Sequence, residues 1–202
     1  MDYFQSLLSI IKSFPLISYS VVFLVALLET VIGIGWILPG STIILLMGAL
    51  AANGYFDIGD LLLAAICGAI LGDNINYFIG RKYGTKVFQQ GFWFVKPKHF
   101  QQGEKFFKKH GRKSVFIGRF VPSLKEIIPL IAGVFKMRRL PFMVWNALGA
   151  VGWSIAWILS GYFFAHSLKL AQMWLDRFEA ILVVSVLGLI VFLVWKELSR
   201  VD

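Results

Sequence analysis

The sequence predicts an all-α integral membrane protein with about four transmembrane helices and two opposed re-entrant helical hairpins. Of the 202 residues, 58% are hydrophobic and 15% are charged, whereas soluble domains carry about 25% charged residues. The mean hydropathy is +0.74. Several apolar stretches approach the roughly 20 residues that cross a bilayer as a helix, and two further apolar segments contain helix-breaking residues.

The long apolar stretches predict the transmembrane helices. They cover residues 16–38, 61–80, 140–165 and 178–195. We expect residues 1–202 to form a single membrane domain, with a core at about 16–165 and an additional C-terminal helix at 178–195. A short external link carrying Lys169 and Arg177 is expected between the last two helices.

Two other apolar segments are expected to dip into the membrane and return on the same side. Residues 41–52 are too short to span it, and residues 114–135 contain both prolines and charges. The predicted breaks are Pro39, Gly40, Pro122 and Pro129. Broken backbone at membrane depth is tolerated only inside protein or beside a wet cavity, so this pattern indicates a translocation pathway. The alternative is that Pro39 kinks a helix and 114–135 is a fifth span.

The basic residues orient the chain. Between Arg81 and Lys113 they outnumber the acidic residues ten to one, so the positive-inside rule places this loop, and with it both termini, in the cytoplasm. The hairpins then enter from opposite faces, each beside a full span, which is the outline of an inverted repeat in transporters. The loop also carries many phenylalanines, and we expect it to lie on the anionic cytoplasmic leaflet rather than on nucleic acid.

Five ionisable side chains lie inside the predicted membrane segments: Glu29, Asp73, Arg119, Lys125 and Glu126. Left unpaired, the first four would cost on the order of 10 kcal/mol, so they are expected to pair between the halves of the chain. One interpretation is an ion-pair network that only fixes helix register. The other is that the cations bind an anionic head group while the carboxylates balance charge or exchange protons. Glu126, next to Lys125, is expected to face a cytoplasmic vestibule.

The sequence contains no pattern typical of catalysis or metal binding. None of its three histidines, His99, His110 and His166, lies among the intramembrane charges, so neither a lipid phosphatase nor a metal site is expected. The single cysteine, Cys67, gives no disulfide framework. We therefore expect no enzymatic activity and no cofactor or metal. The expected partners are membrane lipids and protons, and a homo-oligomer is compatible with the sequence.

Four stretches of the chain carry a family signature. They are Glu29 with Pro39-Gly40-Ser41, GDNINYFIGRKYG at 72–84, FFKKHGRKSVFIGRFVPSLKEIIPLIAGVFKM at 106–137, and Phe142, Asn146, Gly149 and Gly152-Trp153. In order and spacing they resemble the DedA family of bacterial membrane proteins, also called the SNARE-associated or VTT domain. The combination of R-F-x-P with P-x-x-A-G-x-x-x-M is specific, and the likeness covers about residues 16–165.

The resemblance implies two opposed re-entrant hairpins and a role in lipid transport across the bacterial cytoplasmic membrane. Bacterial relatives include flippases that recycle undecaprenyl phosphate, the lipid carrier of cell-wall synthesis, and eukaryotic relatives include phospholipid scramblases. The family's essential acidic pair corresponds to Glu29 and Asp73, and its essential basic pair to Arg119 and Lys125. The family usually has arginine where this chain has Lys125, and lysine keeps the charge but lacks the planar fork for two-point phosphate binding.

The combined prediction is a flippase for undecaprenyl phosphate or a related anionic lipid. Its head group would bind at Arg119 and Lys125, with Glu29 and Asp73 balancing the charge and coupling transport to protons. Two alternatives are a proton-coupled transporter of a small ion or solute, and a non-transporting membrane scaffold.

Overall fold

A computed structural model describes residues 14–35, 38–84, 97–122 and 124–198, with the backbone alone at 97–99 and 169–198. These residues form α-helices joined by turns, and none of them lies in a strand. The helices are α1 Pro15–Thr30, α2 Gly40–Ala52, α3 Ile58–Tyr83, α4 Pro97–His110, α5 Ser114–Gly118, α6 Ile127–Val134 and α7 Arg139–Leu198, and Gly111–Lys113 is a 3₁₀ turn. The chain divides into two compact units, Met1–Phe163 and Phe164–Asp202.

Two helical segments in the described part of the chain are long and apolar enough to cross a membrane. They are α3 and the Arg139–Leu168 part of α7, and they coincide with the predicted spans 61–80 and 140–165. The helices α1 and α2 are apolar but shorter, with 16 and 13 residues. The described part of the chain is therefore all-helical with two membrane-length helices, while the count of four spans stays a prediction. The predicted span 178–195 falls where only the backbone is described.

The first helix ends earlier than the predicted span 16–38. It stops at Thr30, whose hydroxyl donates to the carbonyl oxygens of Ala26 and Leu27 at 3.2 and 2.9 Å. The chain then turns, and we call this turn after α1 the first break. Within it Gly33 adopts a φ of 87°, which favours glycine. The hydrophobicity of residues 16–38 predicted a membrane span but did not predict this turn.

The side chain of Asn76 on α3 satisfies broken backbone from both halves of the chain. Its Nδ2 donates to the carbonyl oxygens of Thr30 at 2.6 Å and Glu126 at 3.2 Å, and its Oδ1 accepts from the N–H of Ile32 at 3.0 Å. Asn76 is completely buried. An unwound backbone inside a membrane protein needs such partners, because lipid tails supply no hydrogen bonds.

The second break lies between α5 and α6, where residues 119–122 and 124–126 form turns rather than helix. Pro122 lies in this break. Pro129, also predicted as a break, instead lies in the first turn of α6, where the N–H that proline lacks would have no helical partner in any case. It therefore helps to start a helix rather than to interrupt one. With 8 residues, α6 is far too short to cross a bilayer.

Each short helix approaches a long helix of the other half through glycine. A Cβ on any of four glycines would overlap a main-chain carbonyl of the facing helix, so the backbones lie in direct contact. The contacts are Gly48 with Ile158 and Gly161 with Leu45 between α2 and α7, and Gly80 with Leu130 and Gly133 with Tyr77 between α3 and α6. The two helix pairs are alike in this respect: in each pair, both the short and the long helix contribute one such glycine.

The structure describes part of the predicted basic loop and the whole of the predicted link between the last two helices. Phe106 and Phe107 of the basic loop pack against the core beside α6, and Phe107 stacks on Phe135 with ring centroids 5.4 Å apart. These two side chains therefore pack partly against protein, while the contact of the basic loop with the lipid surface stays a prediction. The predicted link at 166–177 is helical backbone within α7, because this stretch contains neither glycine nor proline to end the helix.

Candidate functional site

Four of the five ionisable residues predicted inside the membrane form two ion pairs, each joining the first half of the chain to the second. Lys125 Nζ lies 2.7 Å from Glu29 Oε1, and Arg119 Nη1 lies 2.5 Å from Asp73 Oδ2. Both carboxylate side chains and that of Arg119 are at most 5% exposed, whereas that of Lys125 is 17% exposed. Lys125 is therefore the member of the cluster most open to its surroundings.

The carboxylate of Glu29 is held at the C-terminal end of α1. A negative charge is unfavourable there, because the helix dipole places its own negative end at the same position. Two groups compensate: Lys125 pairs with Oε1, and the hydroxyl of Ser41 donates to the same oxygen. Gly40 makes room, since a Cβ at that position would overlap the Glu29 side chain. The sequence Pro39-Gly40-Ser41 thus shapes the Glu29 site.

The guanidinium of Arg119 is fixed by α3 and α7. Its Nη1 contacts Asp73 and also donates to Asn146 Oδ1 at 3.1 Å, while Asn146 Nδ2 donates to the carbonyl of Ile70 at 3.2 Å. The Arg119 Cζ lies 5.7 Å from the ring centroid of Trp153. Its Nε and Nη2 are buried and donate no hydrogen bond to any described residue. Arg119 is therefore positioned on one side and retains donors for a further acceptor.

A cavity of about 300 Å³ adjoins the two cations. Hydroxyls, aromatic rings and both positive charges share its surface, so it combines anion-binding groups with apolar walls. It is lined by Ser41, Arg119, Phe120, Pro122, Lys125, Trp153, Ala156, Trp157 and Ser160. A narrower space of about 10 Å³ lies between the two ion pairs, among Glu29, Thr30, Asp73, Arg119, Lys125 and Trp153.

The sequence analysis missed several groups at this site. Ser41 and Trp153 were noted only within the family motif, and Ser160 was not singled out at all. Glu126 was expected to face a vestibule, but it is 1% exposed. That expectation was wrong because the turn after α1 folds over the Glu126 carboxyl group, with Gly33 and Gly35 against it. No sequence signal marks this turn apart from the two glycines.

Comparison with known proteins places this arrangement in a family. The VTT domain profile matches residues 38–163, a range that includes Asp73, Arg119 and Lys125. The protein named DedA of Escherichia coli (strain K12) is 31% identical over 149 residues, which are 72% of this chain and 68% of the relative. The chain belongs to the DedA family.

Other relatives are named as membrane proteins. An uncharacterized membrane protein of Synechocystis is 30% identical to this chain over 168 residues, covering 81% of the chain and 77% of the relative. One of Mycobacterium bovis is 33% identical over 183 residues, covering 86% of the chain and 80% of the relative. No solved structure matches the chain. Together with the apolar helices, these DedA relatives identify the chain as a membrane protein.

Proposed function

We propose that this DedA protein is a flippase that carries a lipid with an anionic phosphate head group across the bacterial cytoplasmic membrane. The observation that carries the proposal is the cavity beside Arg119 and Lys125. Undecaprenyl phosphate is the specific substrate that we propose, because bacterial flippases of the DedA family recycle this lipid. Transport is proposed to be coupled to protons.

The head group would bind through the two cations. Arg119 keeps Nε and Nη2 without partners among the described residues, and adjacent guanidinium donors suit two oxygens of one phosphate. Lys125 adds a point charge, and the hydroxyls of Ser41 and Ser160 line the same cavity. Because Lys125 is already paired with Glu29, an incoming phosphate competes with that carboxylate, and its binding loosens the link between α1 and the second break.

The remaining cavity wall suits the first part of a lipid chain. Phe120, Trp153 and Trp157 present aromatic surface next to the cations. Phe120 is 47% exposed on the protein surface, so the apolar wall reaches the region where lipid tails lie. A lipid could therefore place its head group in the cavity while its tail stays in the bilayer.

Reconstitution in liposomes tests the proposal. Purified protein should accelerate the transbilayer movement of a labelled polyprenyl phosphate, and Arg119→Ala should reduce that movement at least tenfold. The matched control is Arg112→Ala, which removes an exposed cation outside the cavity and should flip lipid like the wild type. Absence of any acceleration, or equal rates for the two variants, would contradict the proposal.

Transport of a small anion is the second candidate, because a cavity of about 300 Å³ is at the lower end of the range for ligand pockets. Flux of inorganic phosphate into vesicles separates the two functions: it should be absent for a flippase.

A pure scaffold is tested with the charge-neutral pair Asp73→Asn and Arg119→Gln. If the double variant folds and keeps full cellular function, the head-group role of Arg119 is wrong.

A further inference from the structure

A third buried carboxyl group, that of Glu126, lies beside the two ion pairs. Its side chain is 1% exposed, and neither Oε1 nor Oε2 completes a hydrogen bond with any described residue. Glu29 and Asp73 each have a cation at 2.7 Å or less. Within the described part of the chain, the cluster therefore places three acidic groups against two cations.

The surroundings of Glu126 come from both halves of the chain. The N–H of Gly33 faces its carboxyl group, and a Cβ on Gly35 would lie 2.6 Å from its Oε1. The charged groups that face it are Lys125 on its own segment, Glu29 on α1 and Asp73 on α3. None of these three groups forms an ion pair with Glu126, because Lys125 pairs with Glu29 and Asp73 pairs with Arg119.

An ionised carboxylate in this position would be a buried charge without a partner, next to two other carboxylates. Buried groups of this kind take up a proton in place of remaining charged. Intramembrane carboxyl groups serve as proton carriers in pumps and transporters for the same reason. The backbone ends of broken helices, here those of α1 and of the second break, are also where coupling ions bind in such proteins.

We infer that Glu126 is the group that binds and releases the coupled proton, an assignment that rests on the proposed flippase function. Glu29 and Asp73, which the sequence suggested for this role, then hold the two cations in place. An anionic head group adds negative charge to the cluster, and a proton on Glu126 offsets it. Lipid binding and protonation consequently favour each other, and by reciprocity each strengthens the other to the same extent.

Infrared difference spectroscopy of the protein in lipid nanodiscs tests the proton site directly. Lowering the pH should produce the C=O stretching band of a buried, protonated carboxyl group, and Glu126→Gln should abolish that band. The control is Glu104→Gln on α4, whose carboxylate pairs with Lys108 at the surface, and it should keep the band. A band that survives in Glu126→Gln, or one that Asp73→Asn removes instead, overturns the assignment.

A second variant covers the case in which Glu126→Gln does not fold. Glu126→Asp keeps a carboxyl group but shortens the side chain, so the band should remain and shift in frequency. An unshifted band in Glu126→Asp assigns the proton to another residue and overturns the inference.

Flipping measurements separate failure of this inference from failure of the proposed function. In liposomes with an imposed pH gradient, the wild type should flip lipid several-fold faster than without the gradient, whereas Glu126→Gln should show a ratio of one. If the wild type shows the Glu126 band but never flips lipid, the proton site stands and the flippase proposal falls. If it flips lipid and the band does not depend on Glu126, the reverse holds.

Discussion

Among single-residue contacts at the site, the ion pair between Lys125 and Glu29 is the one whose loss should matter most for stability. It joins the C-terminal end of α1 to the second break, and its carboxylate is 1% exposed. Removing one partner of a buried ion pair leaves a charge without compensation, which costs far more than losing a pair at the surface. The chain offers both kinds of pair, because Lys108 and Glu104 form an ion pair on the exposed side of α4.

We predict that Lys125→Gln lowers the free energy of unfolding by about 3 kcal/mol, because it strands the Glu29 carboxylate. Lys108→Gln should lower it by about 0.5 kcal/mol or less, since the lysine of that pair is 64% exposed. Unfolding of both variants in detergent micelles measures the difference. Equal effects would show that the Glu29 carboxylate is solvated or finds another cation.

The identity of the charged residues at the site could be predicted from the sequence, whereas part of their arrangement could not. The cost of isolated charges in a bilayer is enough to single out Glu29, Asp73, Arg119 and Lys125. Which carboxylate meets which cation depends on the position where α1 ends. The burial of Glu126 depends on the same turn, and neither the periodicity nor the composition of the sequence predicts that turn.

At the level of helices and turns, Asn76 supplies hydrogen bonds to main-chain groups of both breaks, so that these groups can be buried. Its amide takes part in three hydrogen bonds to main-chain groups, two in the first break and one in the second. Each main-chain group deprived of its partner inside the protein costs about 1–3 kcal/mol. Asn74, two residues earlier on the same helix, donates to the carbonyl oxygen of Ile70 within α3 at 2.7 Å and, among the described residues, its side chain bonds to no other group.

Asn76→Ala should therefore destabilise the protein by at least about 3 kcal/mol, and Asn74→Ala by about 1 kcal/mol or less. Hydrogen exchange provides a local check. In Asn76→Ala the amides of residues 31–35 and 124–127 should exchange faster, whereas in Asn74→Ala they should match the wild type. Unchanged exchange at both breaks in Asn76→Ala would contradict this role.

The backbone contact between α2 and α7 gives a second prediction at this level. A Cβ at Gly161 would overlap the carbonyl of Leu45, so Gly161→Ala should cost about 1–3 kcal/mol through forced separation of the helices. Gly149→Ala on the same helix should be neutral or stabilising by up to about 1 kcal/mol. Its Cβ would meet the nearest atom, Arg119 Cδ, at 3.5 Å, an ordinary contact. Melting temperatures in detergent compare the two variants.

The elements themselves were only partly predictable. Length and hydropathy indicate α3 and the first part of α7, because these helices are uninterrupted and apolar. The end of α1 was missed, since it depends on a hydrogen bond from Asn76, 46 positions away from Thr30. Pro129 was misread because a proline in a first turn and a proline in a break look alike until the start of the helix is known.

For the whole molecule, the distribution of charge predicts the orientation in the membrane. The basic stretch that includes Lys108 should lie in the cytoplasm, and the first turn of α3, which includes Asp60, should lie outside. Both residues are exposed. The chain has a single cysteine, Cys67, so a cysteine-free background requires one substitution, Cys67→Ala.

In that background, Asp60→Cys should react with a membrane-impermeant maleimide in intact cells from which any outer membrane has been removed. Lys108→Cys should react only after permeabilisation. The reverse pattern would invert the predicted topology, and labelling of both sites in intact cells would place an even number of crossings between them.

The short helix α2 also affects the lipid around the protein. It has 13 residues, or about 20 Å of helix, whereas the hydrocarbon core of a bilayer is about 30 Å thick. Leu46 on α2 is 54% exposed, so lipid tails meet a helix that ends well short of the opposite surface. A bilayer adapts to such a mismatch by thinning locally. Beside α2, the head group of the proposed substrate would therefore have less hydrocarbon to cross than it has in the open membrane.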